Sequence, residues 1–158
     1  MLLKLIQKQK TLDNTSPKAK ARFPLPESVG ERQWGEEILL VLSEGKYTMK
    51  KLIINKGVSG GLQFHRKKDE SGYIISGTLL VTYQDLNGKL TKKELKKGDW
   101  FHFPSGCIHQ ETAITKVELI EVSTPHFNDR VRVEKQFGLS EKDNFGLPTT
   151  QSDEIITK

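Results

Sequence analysis

Gln63, His65, Glu70 and His109 have the side-chain types and the spacing of one metal-ligand set. They fall in two glycine-punctuated stretches. The first runs Gly61-Leu-Gln63-Phe-His65-Arg-Lys-Lys-Asp-Glu70-Ser-Gly-Tyr-Ile-Ile-Ser-Gly77, and the second Gly98-Asp-Trp-Phe-His-Phe-Pro104-Ser-Gly106-Cys-Ile-His109. Side chains alternate between faces along a strand, so Gln63 and His65 project to one side, where an amide oxygen and an imidazole can reach a common ion. Glu70 can return from the next strand and His109 from a distant one. Two imidazoles, a carboxylate and a neutral amide leave room for water or substrate on a divalent first-row metal. Zinc is the first expectation, with iron, manganese or nickel as alternatives.

Such an ion would act as a Lewis acid on a substrate carbonyl or hydroxyl, favouring an enediolate as a proton moves between adjacent carbons. That is aldose–ketose isomerisation. Glu70 is the only charged ligand, so the ion keeps net positive charge and attracts an oxyanion. A general base is also needed. Glu111, two residues beyond His109 on the same strand face, is the candidate, and a metal-bound hydroxide is the alternative. Two competing classes share these residues. His65, Glu70 and His109 are also the ligand types of a non-haem iron oxygenase, and the same cavity could bind a sugar or small acid without turnover.

The elements that must position these residues read as short strands. Glu37–Leu42 and Tyr47–Asn55 are rich in Leu, Ile and Val and are separated by the hairpin-like Ser43-Glu-Gly-Lys46. Tyr73–Ser76 and Thr78–Tyr83 flank Gly77, a bend or bulge with no space for a Cβ. Asn87-Gly88 is a strong hairpin turn before Leu90–Leu95. Trp100–Phe103, Ile108–Thr115 and Lys116–Val122 complete the set. Nine or ten short strands and no long helix before residue 130 point to an all-β, antiparallel sandwich or barrel.

A chain of 158 residues suits one domain. Its apolar residues cluster between Trp34 and Val133. The expected organisation is a basic N-terminal arm over 1–30, a domain over 31–138 and a polar tail over 139–158. Residues 1–22 carry Lys4, Lys8, Lys10, Lys18, Lys20 and Arg22 against Asp13 alone, which accounts for the whole formal charge of +5. The sequence pI near 9.2 therefore describes the arm and gives little support to nucleic-acid binding. Cys107 is the single cysteine, which excludes an intramolecular disulfide and a Cys-based zinc cluster. No apolar run is long enough for a secretory core or a membrane span, so a cytoplasmic protein is expected.

Other polar residues have plainer readings. His102 alternates out of phase with Phe101 and Phe103 and should point away from the cavity. His126 suits a loop hydrogen bond, Cys107 a loop filler, and Lys92, Lys93, Lys96 and Lys97 solvation of an exposed hairpin.

Taken together, the two stretches resemble the paired motifs of the cupin superfamily. His65, Glu70 and Gly77 fit the first motif, with Gln63 in place of its first histidine; Gly98, Pro104, Gly106 and His109 match the second in full. Gln-x-His-x-x-x-x-Glu resembles the cupin domain of type II mannose-6-phosphate isomerases. So do Arg32-Gln-Trp34-Gly35, Leu119-Ile-Glu121-Val122 and Asn128-Asp129-Arg130-Val131-Arg132-Val-Glu134. The resemblance implies a single jelly-roll domain, Gln63, His65, Glu70 and His109 as metal ligands, and a sugar phosphate as substrate. It also implies that Arg132 lies near that substrate, as a catalytic or binding residue. Arg66 and Lys68, between two ligands, are placed to hold a phosphate at the barrel mouth, although the family loop carries an arginine where Lys68 stands. Jelly rolls leave sheet edges to cover, so a homodimer formed through an outer sheet or an exchanged N-terminal strand is expected.

Overall fold

Alternating apolar and polar residues in short runs bounded by Gly, Asn and Asp pair into antiparallel sheets, because only that arrangement buries one side of every run. The computed structural model describes residues 20–32, 34–127 and 129–139. Within them lie β1 (Glu27–Arg32), β2 (Gly35–Ser43), β3 (Tyr47–Ile54), β4 (Gln63–His65), β5 (Glu70–Ser76), β6 (Thr78–Gln84), β7 (Leu90–Lys96), β8 (Trp100–Phe103), β9 (His109–Ala113), β10 (Val117–Ser123) and β11 (Arg130–Arg132). A single 3-10 turn, Glu134–Phe137, ends at Gly138, whose φ of 66° is left-handed. No helix among the described residues is long and apolar enough to cross a membrane.

The strands form two sheets, six-stranded in the order β1-β2-β3-β10-β5-β8 and five-stranded in the order β11-β4-β9-β6-β7. Every pairing is antiparallel, which makes the fold the single-domain jelly roll expected from the sequence. Two strands have no counterpart in the sequence reading. β11 follows what reads as the last strand, and β1 begins at Glu27, inside the stretch read as an arm. The remainder of that arm up to residue 19, and the tail from residue 140, lie outside the described residues.

The inner face of the six-stranded sheet changes character halfway along. Leu119 of β10 stands opposite Leu52 and Ile74, and Val117 opposite Ile54; two rungs on, Glu121 faces Lys50 and Gly72, and Ser123 faces Thr48 and Glu70. All except Gly72 are buried apolar residues at one end and buried polar residues at the other. The apolar end joins Trp34, Leu79, Val81, Leu95, Phe101, Phe103 and Ala113 in one core. That core fixes the separation of the sheets, and the polar end is left to hold chemistry.

Glycine is required where backbones approach. Gly77 has a φ of 87°, and a Cβ there would stand 2.1 Å from the Lys116 carbonyl oxygen. The register of β5 with β10 shifts beside it, between Glu118 and Leu119. Gly98 also has positive φ, 93°, but a Cβ there would meet nothing within 4 Å. Gly98→Ala is therefore expected to cost about 1 kcal/mol, from backbone strain alone, and Gly77→Ala at least about 3 kcal/mol. Denaturant unfolding of the two variants checks the contrast.

Candidate metal centre

His65 ends β4, Glu70 opens β5 and His109 opens β9, so three strands deliver their side chains to the polar end of the cavity. One donor atom from each lies within 4.8 Å of the others, and all three residues are buried. Glu70 Oε1 is 3.1 Å from His109 Nε2 and 3.7 Å from His65 Nε2. His109 stacks on Phe103 with ring centroids 4.1 Å apart. Apart from the Glu70 carboxylate, its Nε2 is sealed from solvent and has no polar neighbour in hydrogen-bonding geometry among the described residues.

The outer nitrogens of both rings are occupied. His109 Nδ1 donates to the Cys107 carbonyl oxygen at 3.0 Å. His65 Nδ1 lies 2.9 Å from Asp129 Oδ1. A carbonyl and a carboxylate only accept, so each ring donates from Nδ1 and turns Nε2 inward, the nitrogen a metal-binding imidazole must offer once any proton on it is displaced. Two inward-facing imidazole nitrogens and one carboxylate oxygen converging on one point fit a divalent cation, which would replace the proton shared between His109 and Glu70.

Asp129 also accepts from the backbone amides of Lys67 and Lys68, both at 2.7 Å. Burial favours its neutral form, but His65 and the two amides prevail and hold the carboxyl at about 2. It therefore fixes both the His65 ring and the loop leading to Glu70. Burial pushes His65 itself below its ordinary value, against the pull of Asp129.

Gln63 stands in register between His109 on β9 and Arg132 on β11, and directly opposed residues share a face, so Gln63 belongs to the ligand side of the sheet. Glu111 follows two residues after His109 on that side. Burial, then the negative charge of Glu70, lifts its carboxyl to about 7. For His109 burial acts downward, yet the Cys107 carbonyl and Glu70 raise it to about 10.

Lys68 requires a correction. The sequence suggests a cation at the barrel mouth, but the side chain turns inward and is buried. Its Nζ contacts Glu70 Oε2 and lies 2.8 Å from Glu121 Oε1, which also accepts from Ser123 Oγ at 3.1 Å. Burial opposes charge on Lys68, but the two carboxylates outweigh it and raise its pKa. Burial likewise opposes charge on Glu70, where Lys68 and the histidines keep the carboxyl well below its ordinary value. Lys68 thus holds one oxygen of Glu70 and leaves the other facing the imidazoles.

Arg132 is also committed elsewhere. Its Nε donates to Glu134 Oε1 at 2.7 Å, and the same oxygen accepts from the Leu62 amide at 3.0 Å. A Cβ on Gly61 would lie 2.3 Å from Arg132 Nε, so the guanidinium packs against that glycine. This bracket ties β11 to the entry of β4. Arg66 is exposed. The sequence reading passes over Arg130, which is opposite His65 in register and hence on the same face. It also passes over Asp129, Glu121 and Lys68 as supports. His102 is exposed and bonded to Asp69 at 3.0 Å, and His126 bonds to Thr124 Oγ1 at 3.0 Å, as their phases suggest. Cys107 is half-buried against the core.

A family model described as Cupin matches residues 32–144. The chain belongs to the cupin family. Among solved structures, oxalate decarboxylase from Bacillus subtilis superposes with a TM-score of 0.63 at 20% identity, covering 95% of this chain and 47% of the decarboxylase. KdgF from Halomonas sp. gives 0.54 at 19%, covering 63% of this chain and 86% of KdgF. CapF from Staphylococcus aureus, a capsular polysaccharide assembling protein, gives 0.59 at 15%, covering 69% of this chain. The chain spans 34% of the length of CapF. At these identities the cupins share a fold with the chain. No curated protein matches it by sequence.

Two variants test the supports. Lys68→Met leaves Glu70 and Glu121 without their counter-charge and is expected to cost about 3–5 kcal/mol in denaturant unfolding of metal-free protein. The depressed Asp129 carboxyl contributes stability above its unfolded value near 3.8, and that contribution is lost as pH falls through about 2. Asp129→Asn should therefore lower stability at pH 5 and flatten its dependence between those two values, read from unfolding curves over that range. Equal slopes in both proteins would contradict this.

Proposed function

We propose that the chain is a metal-dependent cupin that isomerises a phosphorylated sugar between aldose and ketose forms, in the manner of the mannose-6-phosphate isomerase cupins its motifs resemble. The observation that carries the reading is the meeting of one donor atom each from His65, Glu70 and His109 within 4.8 Å at the polar end of the jelly roll. Gln63, His65, Glu70 and His109 would hold a divalent cation, zinc first. That cation supplies Lewis acidity toward a substrate carbonyl or hydroxyl.

The chain's own residues divide the remaining work. Asp129 and the Cys107 carbonyl fix the two imidazole tautomers, and Lys68 keeps Glu70 from rotating. Glu111, lifted to about 7, can take a proton from one carbon and return it to the next near neutral pH, since an acid–base group works best with a pKa close to the ambient value. The apolar wall of Phe101 and Phe103 screens the cavity from water on one side. In this reading residues 31–138 form the working unit, to which Glu27 and its neighbours add the start of β1. A second copy is the proposed partner at the outer face of the six-stranded sheet. There Tyr73 and Trp100 oppose each other in register with 51% and 71% exposure.

Elemental analysis paired with an assay interconverting mannose and fructose 6-phosphates tests the proposal. Stoichiometric zinc and turnover are expected, with metal uptake lost in His65→Ala and His109→Ala. Turnover should rise with pH as Glu111 ionises, at or below the metal-free value of about 7, because a bound cation offsets the charge of Glu70. Glu111→Gln should lower it by about 10²–10⁴-fold while retaining metal. Iron with oxygen consumption would replace the isomerase with an oxygenase, and metal with no turnover over a panel of sugar phosphates would leave a binding protein.

A further inference from the structure

Lys50, Lys68 and Arg132 all bring positive charge into the barrel, and each has a carboxylate partner: Glu37 at 2.6 Å, Glu70 with Glu121, and Glu134. Arg130 is different. Among the described residues no carboxylate forms an ion pair with its guanidinium, and its Nε is cut off from solvent without an acceptor. It stands directly across from His65 on the neighbouring strand, so the two side chains leave the sheet on the same face. The charges of Glu70, Glu37 and Glu121 reach it without any of them closing a contact. Arg132, two residues on, is satisfied by Glu134, which also holds the Leu62 amide and so cannot be released without opening the entry to β4.

A guanidinium stays charged in any protein environment, and one drawn partly out of water without a counter-ion, as half-buried Arg130 is, costs the fold stability. Retaining one beside a cluster of ligand-type residues makes sense where the counter-ion arrives with a ligand. A planar fork of N–H donors matches two oxygens of one anionic group and discriminates by geometry as well as by charge. We propose that Arg130 is the anion-binding residue of this cavity, taking the carboxylate or phosphate oxygens of the substrate while its reacting carbons lie toward His65, Glu70 and His109. The role expected of Arg132 and Lys68 passes to Arg130, because their charges are already spent on the fold. This assignment rests on the cavity being the substrate site, and it narrows the substrates to anionic ones small enough to span Arg130 and the histidine pair.

The test uses metal-free full-length protein and two probes, inorganic phosphate and glycolate, titrated calorimetrically into wild type, Arg130→Met and Arg130→Lys. Wild type is expected to bind at least one probe, and the preferred probe identifies the anionic group. Arg130→Met should bind it at least tenfold more weakly, with Arg130→Lys between, because an ammonium keeps the charge and loses the fork. Thermal unfolding supplies the second readout: Arg130→Met should melt at or above the wild-type temperature, since a half-buried charge without a counter-ion has gone. Equal probe affinity in wild type and Arg130→Met, no binding of either probe by wild type, or a markedly lower melting temperature for Arg130→Met would each overturn the assignment. Zinc uptake is measured on the same proteins. Its absence from wild type would remove the metal reading and leave the anion result standing, whereas Arg130→Met should take up zinc as wild type does.

Discussion

The carboxylate of Glu70 is the point on which the polar half of this barrel depends. A buried carboxylate is costly unless both oxygens are met, and here the two are met by different chemistry. Oε2 rests on the Lys68 ammonium, while Oε1 is turned toward the imidazoles of His65 and His109. Lys68 in turn needs Glu121, and Glu121 needs Ser123. His65 needs Asp129, which also pins the loop carrying Lys68. Removing any member leaves a charge or a lone pair in low dielectric, so the network holds its geometry by mutual obligation.

Such a network can persist only where something else holds the sheets apart, and the apolar end does that. Leu52, Ile74, Val117 and Leu119 come from the same strands that carry Lys50, Glu70, Glu121 and Ser123. Strand register therefore couples the two halves: a one-residue slip would turn both the core and the charges outward. The bulge beside Gly77 and the bare backbone at Gly72, where a Cβ would lie 2.2 Å from the Phe101 ring, let the strands approach closely enough to keep that register. Stability and site geometry are thus one property of the same pairings.

What was legible in the sequence follows physical range. Alternation showed most strands and turned His102 outward beside the inward Phe101 and Phe103, because facing depends only on neighbours two residues away. His65, Glu70 and His109, which the fold brings together, are legible because two motifs carry them, and Gln63 shares their face of the sheet. Lys68 reads as a mouth residue in sequence because its burial depends on Glu121, a residue on a strand far along the chain that composition around Lys68 does not announce. Arg130 and Arg132 look equivalent in sequence, two arginines one residue apart on one face. Glu134, two residues beyond Arg132 and readable beside it, neutralises that arginine, whereas the lack of any counter-ion at Arg130 among the described residues is visible only in the fold. The role of Asp129 is likewise silent in sequence, since its three acceptor contacts all lie more than sixty residues away.

The functional reading gives this architecture a division of labour. One residue set faces a cation, a second fixes the orientation of the first, and a single guanidinium faces the anionic end of a ligand. The central claim is that His65, Glu70 and His109 bind one ion together, and X-ray absorption spectroscopy of the zinc-loaded protein tests it most directly. A first shell with two imidazole nitrogens and additional oxygens at about 2.0–2.2 Å is the expected result. A shell of oxygens without imidazole scattering, or one containing the sulfur of Cys107, would contradict it.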